Sequence, residues 1–192
     1  GVPLPDVECR LVSLDDGVTD VQQGEPGEMI LRGPNIMKGY LGMPTETTNT
    51  LRDLGDGGMP WLYTGDIAYM DEEGYFFIVD RKKDMALIGG FNVYPTAIEN
   101  VLMNHPAVLE AGVAAIPHPE KEGQEALLAC VVVAPGHTGN ADLVKELIEY
   151  QATKLASYEI ARRIVFVQEL PKTAVGKNLR REMAKLASEL SS

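Results

Sequence analysis

Short runs of alternating or continuous apolar residues mark the first 80 positions: VECRLVSL (7–14), GEMILRG (27–33), LYTGDIAYM (62–70) and GYFFIVD (74–80). Turn-forming residues separate them, DDG at 15–17, GEPGE at 24–28 and DEEG at 71–74. Runs of this length and bounding predict strands joined by tight turns. PTETTNTL (44–51) predicts one short helix before the glycine-rich GDGGMP. Several short strands with little helix predict a small distorted β-barrel or β-sandwich subdomain.

From Arg81 onward the period changes. MALIGGFNVY reads as a short hairpin, and Pro95 suits the first position of a helix carrying Ile98, Val101 and Leu102 on one face. VLEAGVAAI (108–116) and ALLACVVVA (126–134) read as strands on either side of the polar PHPEKEGQE. Asp142 opens a second helix, with Leu143, Val144, Leu147, Ile148 and Leu155 at three-to-four spacing. RIVFV (163–167) is a third strand, the KTAVGK loop follows, and a last helix begins near Leu179. Strands alternating with helices on a short sheet predict a compact α/β sandwich. The expected class is therefore α+β, with residues 1–80 as one domain and 81–192 as a second.

Charge sharpens that division. Residues 1–80 hold 4 Lys/Arg against 15 Asp/Glu, whereas residues 81–192 hold 13 of each, so all the excess acidity precedes Arg81. A net charge of −11 over 192 residues argues against nucleic-acid binding, which calls for a basic face. From Arg162 to the end the balance is locally basic, 7 against 3, and suited to a phosphorylated ligand. The longest apolar run, at 126–134, is half the roughly 18 residues a membrane-spanning helix needs. Cys9 and Cys130 lie far apart and form no CxxC, as in a reducing, cytoplasmic setting. The chain opens on GVPLPDVE, without a methionine and close to a strand, and so reads as a piece of something longer.

Four places carry candidate chemistry. Asp66, after Thr64-Gly65 at the end of an apolar run, reads as a buried acid whose two oxygens could accept from both hydroxyls of a ribose. Taken alone, a turn or capping aspartate fits the same pattern. Arg81, in the charged joint Asp80-Arg81-Lys82-Lys83, offers a planar fork of donors for ribose or phosphate oxygens. Gly89 and Gly90 leave backbone bare of Cβ atoms where a thin ligand could pass, or simply make a hairpin turn. Lys177, on the glycine loop of PKTAVGKNLRRE (171–182), is a flexible ammonium for charge developing near a phosphate. At ~4 Å and an effective dielectric of 20 such a contact gives about 4 kcal/mol before desolvation. GK here is no Walker A loop, since Pro171 replaces its first glycine and Asn178 its Ser/Thr. GDGG at 55–58 lacks the third glycine of a dinucleotide fingerprint, and His105, His118 and His137 are scattered without metal-ligand spacing.

In combination, YTGDIAYMDEEGYFFIVDRKKDMALIGGFNVYP (63–95) and ELPKTAVGKNLRRE (169–182) resemble the ATP-dependent adenylate-forming (AMP-binding) enzymes, most closely their acyl-CoA synthetase, or fatty acid–CoA ligase, branch. GEMILRGPNIMKGYLGMPTET (27–47) is similar to the segment that precedes the ribose-binding aspartate in that family. The resemblance implies that residues 1–80 are the last β subdomain of a large N-terminal domain and 81–192 a C-terminal domain that turns. It implies that Asp66 binds the ribose of ATP and Arg81 the nucleotide, that Lys83 is the hinge, and that Lys177 serves the adenylation half-reaction. The Gly89-Gly90 loop would line the channel for the pantetheine of CoA. Substrates would be a fatty acid, ATP and CoA, with AMP released. Mg2+ would accompany ATP on ligands outside this chain. The phosphate loop, the ATP-clamping glutamate and the acyl tunnel of the family would lie before residue 1, so the isolated chain is expected not to activate a carboxylate.

Some positions depart from the family pattern. Glu159 and Ala161 stand where Lys and Pro are common, Asn178 where an aliphatic residue is, and Gly89 where serine is. The Glu159 reversal bears on the CoA contacts, with Arg162 and Arg163 nearby as compensating cations. Other assignments share the same motifs: a fatty acyl-AMP ligase, an aminoacyl-adenylating domain, or a binding and assembly module without catalysis. Apolar surface exposed on residues 1–80 would favour homo-oligomers and peripheral association with membranes.

Overall fold

The computed structural model describes residues 1–173, 176 and 178–189, the last three of these as backbone. Lys177 therefore lies outside the described residues. The chain divides into two compact units, Gly1–Lys83 and Asp84–Ser192. The class is α+β, as the residue pattern predicts.

The first unit holds β1 (Glu8–Val12), β2 (Gly27–Arg32), α1 (Pro44–Thr50), β3 (Leu51–Arg52), β4 (Trp61–Met70) and β5 (Phe76–Arg81). All pairings are antiparallel, in the order β1-β2-β4, with both β3 and β5 on the far side of β4. β4 can serve both because its 10 residues extend about 33 Å. Leu51 and Arg52 pair with its first residues, while β5 pairs from Asp66 to Met70. Register shifts between Glu28 and Ile30 and between Ile67 and Ala68 bend the sheet, as an extra residue on one strand does. Asp71 builds the β4–β5 turn by accepting the N–H groups of Glu73 and Tyr75, with Gly74 at φ +84°. Val12, Ile30, Trp61 and Tyr63 form the buried core. Tyr75, Phe77 and Ile78 of the β5 hairpin stay exposed.

The second unit opens with the hairpin β6 (Ala86–Ile88) and β7 (Phe91–Val93), followed by α2 (Pro95–Met103), β8 (Val108–Pro117), β9 (Glu125–Val133), α3 (Ala141–Ala152), β10 (Arg163–Phe166) and α4 (Arg180–Glu189). β8 and β9 are antiparallel, and β10 lies parallel to β9 after the α3 crossover. Alternation assigns the two faces of this sheet. Ala111, Val113, Leu127, Ala129, Val131, Ile164 and Phe166 pack with Ile98 and Leu102 of α2 and Leu143 and Leu147 of α3. Ala114, Ile116, Leu128, Cys130 and Val165 take Leu170 and Met183 of the α4 side.

α3 starts one residue before Asp142. Asn140 caps it by accepting the Leu143 N–H at 2.9 Å, and an Asn there satisfies a donor that the helix cannot. Leu155 falls beyond the helix, which ends at Ala152 with Thr153 as its C-cap, yet still packs on the core. Among the described residues no helix is long and apolar enough to cross a membrane.

Candidate functional site

Asp66 sits in the middle of β4, four residues before its end, and faces Arg81 directly across the β4–β5 ladder. The Arg81 Nε–H donates to Asp66 Oδ1 at 2.8 Å. The acid is not buried as its apolar flank suggests, its side chain being 34% exposed and that of Arg81 52%. The reason lies in the register. Ala68 pairs with Ile78 while Ile67 pairs with Asp80, so Val79 is an extra residue, and the pair falls beyond this shift at the open end of the hairpin. Gly65, at φ +70°, precedes it, and the Asp66 N–H donates to Thr64 Oγ, which itself donates to the Met29 carbonyl at 2.7 Å. A carboxylate has about four lone-pair sites and the arginine bond uses one. A solvated ion pair of this kind contributes about 0–1 kcal/mol to stability, so it is a presented group rather than a brace.

A second acid–base pair lies beside it, and the sequence reading passes over it. Lys82 Nζ reaches Glu28 Oε2 of β2 at 2.7 Å, and the Glu28 side chain is only 5% exposed. Glu28 pairs with Ile67 in the sheet, next to Asp66. The Arg81 N–H donates to Oδ1 of buried Asp80. The charged joint is thus differentiated: Arg81 on half-exposed Asp66, Lys82 on a buried carboxylate, and Lys83 exposed. Only the position of Glu28 at the start of an apolar run hints at this in the sequence.

Lys83 sits in a single 3-10 turn, Lys82–Asp84, and the division between the two units falls just after it. In the second unit, Gly89 and Gly90 form the two-residue loop between β6 and β7, with φ of +59° and +88°. Positive φ at both positions is what a tight hairpin of this twist demands, and glycine meets it without strain. Both glycines are exposed, and a Cβ built on either would meet nothing within 4 Å. The Leu87 N–H donates to Glu125 at 2.7 Å, and Phe91 stacks on Tyr158 with ring centroids 4.4 Å apart, so the hairpin is held at both sides of its loop. Beneath it a cavity of about 380 Å³ is lined by Ile88, Tyr158, His118, Arg162 and Arg163 among others. Glu159, the departure that reverses a charge, accepts the Ala156 N–H and so closes its own turn. Ala161 is fully buried, its N–H donating to Gln151.

The described flanks of the Lys177 loop form a narrow base: Lys172 and Asn178 pair antiparallel, the Leu179 N–H donates to the Pro171 carbonyl at 2.8 Å, and Gly176 has φ +79°. No thiol joins any of these groups. Burial raises both Cys9 and Cys130 from 9.0 to about 11, so each stays protonated at neutral pH.

Residues 97–177 match the family described as the AMP-binding enzyme C-terminal domain. The chain is 44% identical over 184 residues to a long-chain-fatty-acid–CoA ligase of Escherichia coli O157:H7, covering 95% of this chain and 30% of that enzyme. It is 40% identical over 189 residues to the long-chain-fatty-acid–CoA ligase of Bacillus subtilis, covering 98% of this chain and 32% of that enzyme. Among solved structures, ATP-bound MatB from Rhodopseudomonas palustris superposes with a TM-score of 0.86 at 31% identity, over 100% of this chain and 36% of that one. The chain thus spans about a third of the length of the proteins it matches. With the residue motifs at 63–95 and 169–182, these matches show that the chain carries the C-terminal domain of the AMP-binding, adenylate-forming enzymes and is similar along its length to CoA ligases.

Proposed function

We propose that this chain is the C-terminal part of an ATP-dependent acid–thiol ligase of the acyl-CoA synthetase type, working in the cytoplasm. In the first step a carboxylate oxygen attacks the α-phosphorus of ATP, forming acyl-AMP and expelling pyrophosphate. In the second the CoA thiolate attacks the acyl carbon and AMP leaves. The observation that carries the reading is the Asp66–Arg81 pair, presented in register on adjacent strands two residues before the division between units. A carboxylate and a guanidinium so placed suit a ribose diol and the nucleotide's polar edge, with charge-assisted bonds to both.

Residues 1–80 then belong to the large nucleotide-holding domain and 81–192 to a domain that turns about Lys83. In one orientation Lys177 would neutralise charge building between the carboxylate and the α-phosphate. In the other the Gly89-Gly90 hairpin would border the path of the CoA arm, which a Cβ-free turn can approach closely. Exposure of Lys83 supports the pivot, since a solvated charge keeps its water in either orientation. Mg2+ would accompany ATP on ligands outside this chain. The acid is a fatty acid on this reading, and the exposed Tyr75, Phe77 and Ile78 support contact with further apolar surface, be it the rest of the enzyme, a second copy or a membrane.

The test is Lys177→Ala in the longer enzyme that carries this segment. Pyrophosphate exchange is expected to fall about 10²–10³-fold, while thioester formation from supplied acyl-AMP is retained. Equal losses in both half-reactions refute the assignment.

A further inference from the structure

Arg180 is three residues beyond Lys177 and opens α4, yet its side chain reaches back across the second unit. Its Nε–H donates to the Val113 carbonyl of β8 at 3.1 Å. One terminal nitrogen donates to Thr96 Oγ at 2.9 Å and to Glu99 Oε1 of α2 at 3.2 Å. The other lies 3.3 Å from Oδ2 of Asp84. Glu99 is itself buried and accepts the Val113 N–H at 2.9 Å, so a second bond besides the arginine holds it. The guanidinium is 17% exposed, and its planar fork is used in three directions at once.

The partners matter more than their number. Asp84 is the first residue of the second unit, directly after Lys83. Thr96 and Glu99 belong to the helix that follows the Gly89-Gly90 hairpin. Arg180 itself stands at the foot of the loop closed by the Lys172–Asn178 pair and the Leu179-to-Pro171 bond. On the other side of Lys83, Lys82 is tied to buried Glu28 in the first unit. Each neighbour of Lys83 is thus anchored within its own unit.

We infer that Arg180 is a positioning residue that couples the pivot to the flanks of Lys177, so that a turn at Lys83 is delivered undiminished to the base formed by Pro171, Lys172, Asn178 and Leu179. This rests on the reading of Lys83 as pivot and Lys177 as the adenylation lysine. Without the arginine, α4 would keep its apolar seat through Met183, but the loop foot would lose its tie to the residue where rotation starts. Positioning of that foot would be lost while the fold remained.

Two measurements decide it. In the 192-residue chain, Arg180→Met and Arg180→Lys are expected to speed amide exchange about tenfold to a hundredfold at Leu179 and Val113, with β9 amides unchanged. Lysine should not restore protection, because one ammonium cannot serve three fixed directions. Asp84→Asn, which leaves the loop and α2 untouched, provides the milder variant should the others unfold. In the longer enzyme the same variants should lower kcat for pyrophosphate exchange about tenfold or more, while thioester formation from supplied acyl-AMP stays at the parent rate. Uniform exchange changes, full rescue by lysine, or equal losses in both half-reactions overturn the inference. Lys177→Ala serves as the control: if it splits the half-reactions and the Arg180 variants do not, the coupling fails alone, and if it does not split them, the functional reading fails first.

Discussion

Two acid–base pairs lie side by side near the end of β5, and burial makes them different objects. Asp66 and Arg81 are both solvated, so their mutual attraction is screened, whereas Glu28 is almost wholly enclosed and depends on Lys82 for its counter-charge. Asp66→Asn is therefore expected to shift unfolding free energy by less than about 1 kcal/mol. Lys82→Met, which strands a buried carboxylate, should cost about 1–3 kcal/mol. Urea unfolding of the two variants checks the contrast, and equal losses would contradict it. In the longer enzyme the order should invert, with Asp66→Asn the more damaging to nucleotide binding.

Three carboxyls of the first unit are held below their usual range: Asp16 at about 2, through the Thr19 hydroxyl and then the Val18 and Thr19 amides, Glu8 through Arg32, and Asp56 first through the Trp61 indole N–H. Each binds a proton less readily folded than unfolded. Their stabilisation is complete above the ordinary carboxyl value of about 4 and is lost as pH falls from there towards 2. Trp61, the one tryptophan, touches Asp56 at 3.1 Å and lies under Arg32 at 4.3 Å, so its fluorescence reports the change. Acid titration should show a transition below pH 4, moved upward by Asp56→Asn. The thiols act in the opposite window. Cys9 and Cys130, raised to about 11, favour the folded state below pH 9 and erode it as pH climbs between 9 and 11.

At the scale of elements, the seating of α4 depends on an absence. A Cβ on Gly112 would come within 2.5 Å of the Met183 side chain, which is fully buried, so the glycine in β8 clears the seat of the helix that follows the lysine loop. Gly112→Val should destabilise the unit by about 1–3 kcal/mol through overpacking, with faster amide exchange concentrated in α4. Exchange confined to β8 would contradict that. In VLEAGVAAI the glycine reads only as a weak point in a strand, because the partner it makes room for lies 71 positions later. The hairpin at Gly89-Gly90 is the opposite case, legible from the dipeptide itself, since the demand for positive φ is local. α3 shows how far local reading carries: its apolar spacing predicts the helix, while its first residue is set by which nearby side chain reaches the orphan amide, and Asn140 does.

For the whole molecule, both apolar clusters of the second unit are built from residues after Lys83. Residues 84–192 are therefore expected to fold alone, with a cooperative thermal transition and dispersed amide resonances. A molten or aggregated product would show that this core is incomplete. The excess acidity remains with residues 1–80, so the two parts should separate on anion exchange, the first being retained more strongly.

Period and turn chemistry act over a few residues, and so the sequence alone determines the strands, the hairpins, the helices, the charge step at Arg81 and, through its motifs, the family. Which groups meet across the chain is decided by register and packing. Asp66 reads as buried but emerges beside solvent because one extra residue at Val79 shifts the ladder. Lys82 finds Glu28 from 54 positions away, and Arg180 finds Thr96 from 84. A side chain's partner depends on where two distant backbones come to rest, and no local pattern encodes that distance.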